Sequence, residues 1–227
     1  MLDAGDPSAT RTPSARVQRR QQRTRAQLTR AAAHLIADKG VDGLRLREVT
    51  DAADVGFGSF YNYFESKEDL VEAVVLDLMS ALAQTLIAQV EAFTDPAEAA
   101  SAAHRWFVRN ATEDPETARL IVNLDQADVQ FQERILPFGQ RLLEAGVEQG
   151  RFTAMPSPVT TLTYVVGATL AVTRAVLDRR TGPEAESQTA EVLLHALGLD
   201  AEQAREIAYR NLPSVMLVEA SERPLAN

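Results

Sequence analysis

The chain has no cysteine. That excludes a disulfide framework, a thiolate metal site and a cysteine nucleophile. Aromatic residues are scarce, at 6%, with one tryptophan, and there are three histidines. His34, His104 and His195 are dispersed along the chain with no ligand spacing, so neither a metal site nor a cofactor is expected. The motifs GxSxG, GxxxxGK[ST], HExxH and GxGxxG are all missing, which argues against an enzyme. No stretch alternates polar and apolar residues over a strand's length. The opening residues MLDAGDPSAT contain no apolar run, so a secretory signal is not expected and the cytoplasm is the expected location.

What is present fits a soluble globular protein. The chain has 227 residues, 45% apolar and 24% charged, with a mean hydropathy of -0.16. That length suits one large domain or two smaller ones. The formal net charge of -9 argues at first against nucleic acid, but the charge is unevenly spread. Residues 11–30 hold seven arginines and no acidic residue. Residues 1–50 carry ten Lys/Arg against five Asp/Glu, whereas residues 71–227 carry twelve against twenty-two. A phosphate-binding surface needs local positive potential, not a basic whole chain. A solvated arginine run is the alternative reading.

Residues 1–15 are polar and aperiodic and read as a disordered arm. Leu28, Ala31, Ala32, Leu35 and Ile36 recur at helical spacing, so a helix should run from Ser14–Val17 to about Lys39, ended by Gly40 as a left-handed cap. Leu46 to Ala53 makes a short helix, Asp54-Val55-Gly56 a turn, and Phe57 to Phe64 a second short helix. Ser66 caps a long helix to about Phe93, with Asp69 completing a weaker capping box. Beyond Thr94-Asp95-Pro96 the spacing predicts helices from about Pro96 to Asn110, Pro115 to Gln126 and Val129 to Gln149, the last with Pro137 as a kink site. Further helices are predicted from Ser157–Pro158 to about Arg179, from Glu184 to Leu197, and from Asp200 to Asn211. The fold class is therefore all-α, with nine to ten helices. The expected organisation is a DNA-binding domain at 16–68, a connecting helix at 69–93 and a ligand-binding and dimerisation domain at 94–227.

The stretch from Leu44 to Leu70 reads as a helix-turn-helix on a longer support helix. A major groove admits one helix, so the outward residues of that helix must be small or flat and the inward ones large. Phe60 and Phe64 are spaced to point inward, while Ser59, Tyr61, Asn62 and Tyr63 fall largely on the other side. Gly58 would let backbone approach phosphate, and Ser59 and the tyrosine hydroxyls would donate to phosphate oxygens. Arg47 would reach a guanine edge or a phosphate, and Lys67 a phosphate beside the positive end of the support helix. A plain helical hairpin with an aromatic core is the alternative.

With Leu46, Arg47, Val49, Ala53, Val55, Gly58, Ser59, Phe60, Tyr61, Tyr63, Phe64, Ser66, Lys67 and Leu70 in register, the sequence resembles the TetR family of bacterial transcriptional regulators over about residues 16–80. The resemblance implies a homodimer that reads a palindromic double-stranded DNA operator, with paired recognition helices about one DNA turn apart. It carries the family's DNA contacts onto Arg47, Phe57, Gly58, Ser59, Tyr61, Asn62, Tyr63 and Lys67. It further implies a repressor released by a small apolar or amphipathic effector. Five positions depart from the family pattern. Asp54 replaces the common turn glycine, Gly56 the usual serine cap, Phe57 a frequent polar residue, Arg45 the common threonine and Thr50 the usual alanine. A DNA-binding protein without an effector, and a helical ligand-binding protein without operator activity, are the alternatives.

The rest of the chain shows two further features. Residues 160–177 are apolar nearly all round, so that helix should be buried on most sides. A membrane span is the rival reading, opposed by five threonines and Arg174 in the segment. Gly167, Ala171 and Ala175 are spaced by four and offer a flat seam. With Val192 and Leu193 they form the candidate dimer interface, because the family's penultimate helices usually dimerise so. Second, polar and aromatic residues, among them His104, interrupt otherwise apolar helices. From these, Trp106, Phe107, Asn110, Asn123, Gln126, Phe131, Phe138 and Tyr164 are the candidate ligand pocket. Core packing explains each of them singly.

Overall fold

The computed structural model describes residues 15–90, 93–127, 129–154 and 157–212, without the side chains of 83–90, 125–136 and 138. The expected disordered arm lies outside these residues, apart from Ala15. Among the described residues every regular element is helical. They are α1 (Ala15–Gly43), α2 (Leu46–Ala52), a 3₁₀ turn (Phe57–Asn62), α3 (Lys67–Val90), α4 (Pro96–Glu113), α5 (Pro115–Ala127), α6 (Val129–Glu148), α7 (Pro158–Leu177), α8 (Ala185–Ala196) and α9 (Ala201–Tyr209).

Side-chain caps fix several of these boundaries. The Ser66 Oγ accepts from the Asp69 amide at 3.1 Å, and the Asp69 carboxylate accepts from the Glu65 amide at 3.0 Å. Asp95, Ser157 and Asp200 likewise accept from amides in the first turns of α4, α7 and α9. Each satisfies a donor that the helix itself leaves unpaired. Gly40 departs from helical geometry at φ 72° and ψ 170°, and one more helical turn follows it. The sequence placed the break at Gly40 but took residues 41–43 as plain connection. α6 runs through Pro137.

Two hydrophobic cores organise the chain. The first joins α1, α2, the 3₁₀ turn and α3 through Leu28, Ile36, Val49, Phe60, Phe64 and Leu70, and it continues into Ile121 and Leu124 of α5 and Leu170 of α7. α1 packs more extensively against α5 than against any other helix. The second joins α4, α6, α7, α8 and α9 through Ala97, Leu143, Leu162, Leu194 and Ile207. Val166 packs against both.

α4 lies at the centre of the larger half and carries its polar fastenings. The Arg109 guanidinium donates twice to Glu186 of α8, at 2.8 and 2.5 Å, and the buried Arg105 donates to Glu186 and, at 2.6 Å, to the Arg210 carbonyl. Burial pushes the Glu186 pKa up, but the Arg109 and Arg105 bonds outweigh it and hold the carboxylate below its usual range. At the start of α4, Asp95 accepts a two-pronged pair from Arg151 at 2.9 and 2.8 Å. Charges this enclosed are tolerated because they are paired with good geometry.

Candidate functional site

The first candidate site is the surface around the 3₁₀ turn. Phe60 and Phe64 are fully buried, so this turn is anchored from within. Gly56 offers no side-chain cap, and the turn opens on a 2.7 Å bond from the Ser59 amide to the Gly56 carbonyl. The tight winding replaces the α-helix expected here. Asp54 adopts φ 55°, in the left-handed region where glycine is at ease, as the turn before the segment requires. Thr50 is completely buried. Its hydroxyl donates to the Arg47 carbonyl, and its own carbonyl accepts from the Val55 amide.

The expected DNA contacts fall into two groups. Arg47, Phe57, Gly58, Ser59, Tyr61 and Asn62 are all exposed. Phe57 and Tyr61 are 48% and 58% exposed despite being aromatic, and their rings meet edge to face at 6.3 Å. Large aromatics this exposed on a small, well-packed head are the kind of feature that contact surfaces carry. A Cβ at Gly58 would meet nothing within 4 Å, so the space before it is open. Tyr63 and Lys67 are half-buried, and the Tyr63 ring packs against the first core instead of standing free. Arg25, from α1, stacks its guanidinium over Phe64 at 4.6 Å.

The second candidate site is a cavity of about 140 Å³ between α3, α4, α6, α7 and α8. Its wall takes Met79, Leu82 and Leu170 from the first core and Ala100, Leu143, Leu162, Leu193 and Leu197 from the second. The cavity therefore sits on the seam between the two cores. His104 and Thr169 supply the polar side chains of that wall. The His104 Nδ1 lies 2.9 Å from the Thr169 hydroxyl, and Nε2 lies 2.8 Å from the Thr189 hydroxyl. Burial, aided by Arg105 and opposed by Glu186, pushes the His104 pKa down to about 4. The ring is thus neutral near pH 7 and carries one N–H. Both threonines also reach a carbonyl in their own helix, Val165 and Ala185. One hydroxyl must give up that bond and donate to the ring.

Of the residues expected to line a pocket, Phe107 does so. Trp106 stacks edge to face on Phe107 at 5.0 Å and packs against the first core. Asn110 is buried in α4 outside the cavity wall. Asn123 donates instead to the Ile36 and Ala37 carbonyls of α1, at 2.8 and 3.2 Å. Tyr164 is 61% exposed, because the face of α7 that carries it turns away from the domain. The side chains of Gln126, Phe131 and Phe138 lie outside the described residues. The wall residues missed by sequence reasoning are mainly small or aliphatic, Ala100, Ala103 and Gly139 among them. Their one signal was small residues on facing helices, which ordinary core packing shares. For the dimer candidates, Gly167, Ala171 and Val192 are exposed, Ala175 is half-buried, and Leu193 is turned inward onto the cavity.

Comparison with known proteins agrees with this arrangement. Residues 28–74 match bacterial regulatory proteins of the tetR family, and residues 95–210 match the tetracyclin repressor-like C-terminal domain. The HTH-type transcriptional repressor KstR2 of Rhodococcus jostii (strain RHA1) is 30% identical over 144 residues, covering 56% of this chain and 67% of that protein. KstR2 of Mycolicibacterium smegmatis is 38% identical over 58 residues, and this match spans only 28% of its length. The crystal structure of RolR in complex with resorcinol has a TM-score of 0.69 at 31% identity, covering 87% of this chain and 99% of that one. Helix-turn-helix head, helical body and relatives together assign the chain to the TetR family of bacterial DNA-binding transcriptional regulators.

Proposed function

We propose that the protein is a cytoplasmic homodimeric repressor that leaves its palindromic operator when a small, largely apolar molecule enters the cavity. The observation that carries the reading is the cavity's position on the seam of the two cores. A molecule filling it would press on Met79, Leu82 and Leu170, which are part of the first core that the DNA-reading head shares with the body. It would press equally on the core of α8. Differential affinity for two arrangements of that seam is all a ligand needs to shift the equilibrium. A dry apolar cavity of about 150 Å³ takes a molecule the size of benzene, so the fit favours a single ring or its equivalent. Its polar group would bond to the His104–Thr169 pair. RolR, similar over most of its length, was solved with resorcinol. The repressor names of the KstR2 relatives support the sign of regulation.

The outer face of α7 supports the dimer. That helix is apolar enough to cross a membrane, yet only 22% of it is buried. Val159, Tyr164 and, on α8, Val192 are 57–63% exposed. A second copy would cover them with a four-helix contact built on Gly167 and Ala171, with Ala175 at its edge. Arg47, Phe57, Gly58, Ser59, Tyr61 and Asn62 would read the operator, with Tyr63 and Lys67 at the margin.

The test is binding of the purified dimer to DNA flanking its own gene, with and without a panel of monocyclic phenols and short aliphatic alcohols. Release by one of them is expected. Operator affinity that none of them alters would overturn the effector reading and leave a DNA-binding protein without one.

A further inference from the structure

α1 is longer than its core needs. Its first buried residue is Leu28, so residues 15–27 form about 20 Å of helix ahead of the packed part. Arg16, Arg19, Arg20, Arg23 and Arg30 recur at helical spacing and fall in one stripe about 100° wide. Leu28, Ala32 and Ile36 lie on the opposite side. All five arginines are exposed, and none of their side chains forms a hydrogen bond or ion pair with another described residue. Arg25 is the exception in both respects of placement. It falls on the core side and stacks on Phe64, which joins this helix to the DNA-reading head.

The stripe works against its own helix. The first turn contains no acidic residue. Cations there oppose the positive end of the helix dipole, and like charges three and four residues apart repel each other. Packing does not compensate, because residues 15–23 are exposed. Arginines kept at such a cost to local stability suit a surface whose charge is neutralised on binding. The rest of the chain is acidic, so the field of the stripe stands out from the molecule.

Resting on the operator-binding reading, we propose that the Arg16–Arg19–Arg20–Arg23 stripe is a second DNA contact, which grips the phosphodiester backbone flanking the base pairs read by the 3₁₀ turn. Arginine forks match phosphate oxygens and carry no base information. The extension therefore adds affinity to operator and non-operator DNA alike and lengthens the protected segment. Each arginine that neutralises a phosphate releases counterions and adds about 0.9 to the slope of log affinity on log salt.

The experiment compares the full chain with a variant carrying Arg16→Gln, Arg19→Gln, Arg20→Gln and Arg23→Gln. Glutamine keeps helix propensity and removes the charge. Binding is measured by fluorescence anisotropy across a salt series, on an operator duplex and on a scrambled duplex of the same length. The variant should lose about 3 to 4 from the salt slope per protomer, and affinity for both duplexes should fall by the same factor. Its backbone-cleavage footprint should be shorter at both ends. A pair variant, Arg16→Gln with Arg19→Gln, should lose about half as much and guards against misfolding of the fourfold one. An unchanged slope with intact operator binding overturns the stripe and leaves the operator reading standing. A loss confined to the operator duplex means base readout and also overturns it. If the unaltered protein binds neither duplex, the operator reading fails and the stripe with it.

Discussion

His104 shows how much one side chain can fix. Its pKa of about 4 lies below the ordinary 6.5, with burial as the main cause. In the unfolded chain the imidazole takes up a proton as pH drops below about 6.5, while the folded one resists until about 4. The unfolded state therefore binds more protons in that window, and stability falls as pH decreases through it. The loss from this group approaches about 3 kcal/mol at the acid end. His104→Leu frees Thr169 and Thr189 to donate to their own helix carbonyls. Urea midpoints of the variant should drop less between pH 6.5 and 4 than those of the unaltered protein. A steeper drop would show that the ring is charged in the fold. On the surface proposed to face DNA, Tyr61 is more than half exposed. Tyr61→Ala should weaken operator binding by about 1–2 kcal/mol, as loss of one base or phosphate contact does, and shift the melting temperature little. A large fall in melting temperature would make Tyr61 part of the core.

At the scale of elements, two joints stand out. Asn123 of α5 holds the Ile36 and Ala37 carbonyls just before the break at Gly40. Asn123→Ala leaves those carbonyls without that donor and should cost about 1–3 kcal/mol. It should also change how far effector binding reduces operator affinity, because α5 links the cavity helices α4 and α7 to α1. A variant with unaltered stability would show that water replaces the amide. Gly139 is the second joint. A Cβ there would come within 2.4 Å of the Leu162 side chain, so α6 and α7 approach closely. Gly139→Ala must push Leu162, a cavity wall residue. Effector affinity should drop about tenfold, or 1.4 kcal/mol, as read by calorimetry, with operator affinity retained.

These elements also show what a sequence can and cannot disclose. Helix boundaries were legible because caps are local. Ser66 with Asp69, Asp200, and proline at the start of α4 and α7 each act within a few residues. The inward pair Phe60 and Phe64 was legible from spacing alone. The winding of the recognition turn was not, since six residues fit either a 3₁₀ or an α turn until the packing of both phenylalanines chooses. The cavity was legible only through His104 and Phe107, two of the residues that interrupt apolar helices. Empty space belongs to the five helices around it, and no single helix carries its signature. Tyr164 and Asn123 looked like wall residues because they interrupt apolar stripes. Helix rotation turned one outward, and the other serves a distant helix end.

At the scale of the molecule, charge is divided. A basic head precedes an acidic body, whose like charge opposes approach of DNA to the body. Raising salt should therefore weaken DNA binding steeply while leaving the fold intact, because the partly buried pairs Arg109–Glu186 and Arg151–Asp95 are less screened than the exposed arginines. Melting temperature measured at low and high salt should change much less than DNA affinity over the same range.

The first core is shared between the head and helices α5 and α7. This bears on building hybrid regulators. A head cut at residue 68 and fused to a foreign body would lose Leu70 and leave Leu28 and Ile36 facing a surface that was never shaped for them. A working graft would have to carry the contact face of α5 along with the helix-turn-helix. Specificity for DNA in this protein is thus inherited as a pair of surfaces, only one of which ever meets the operator.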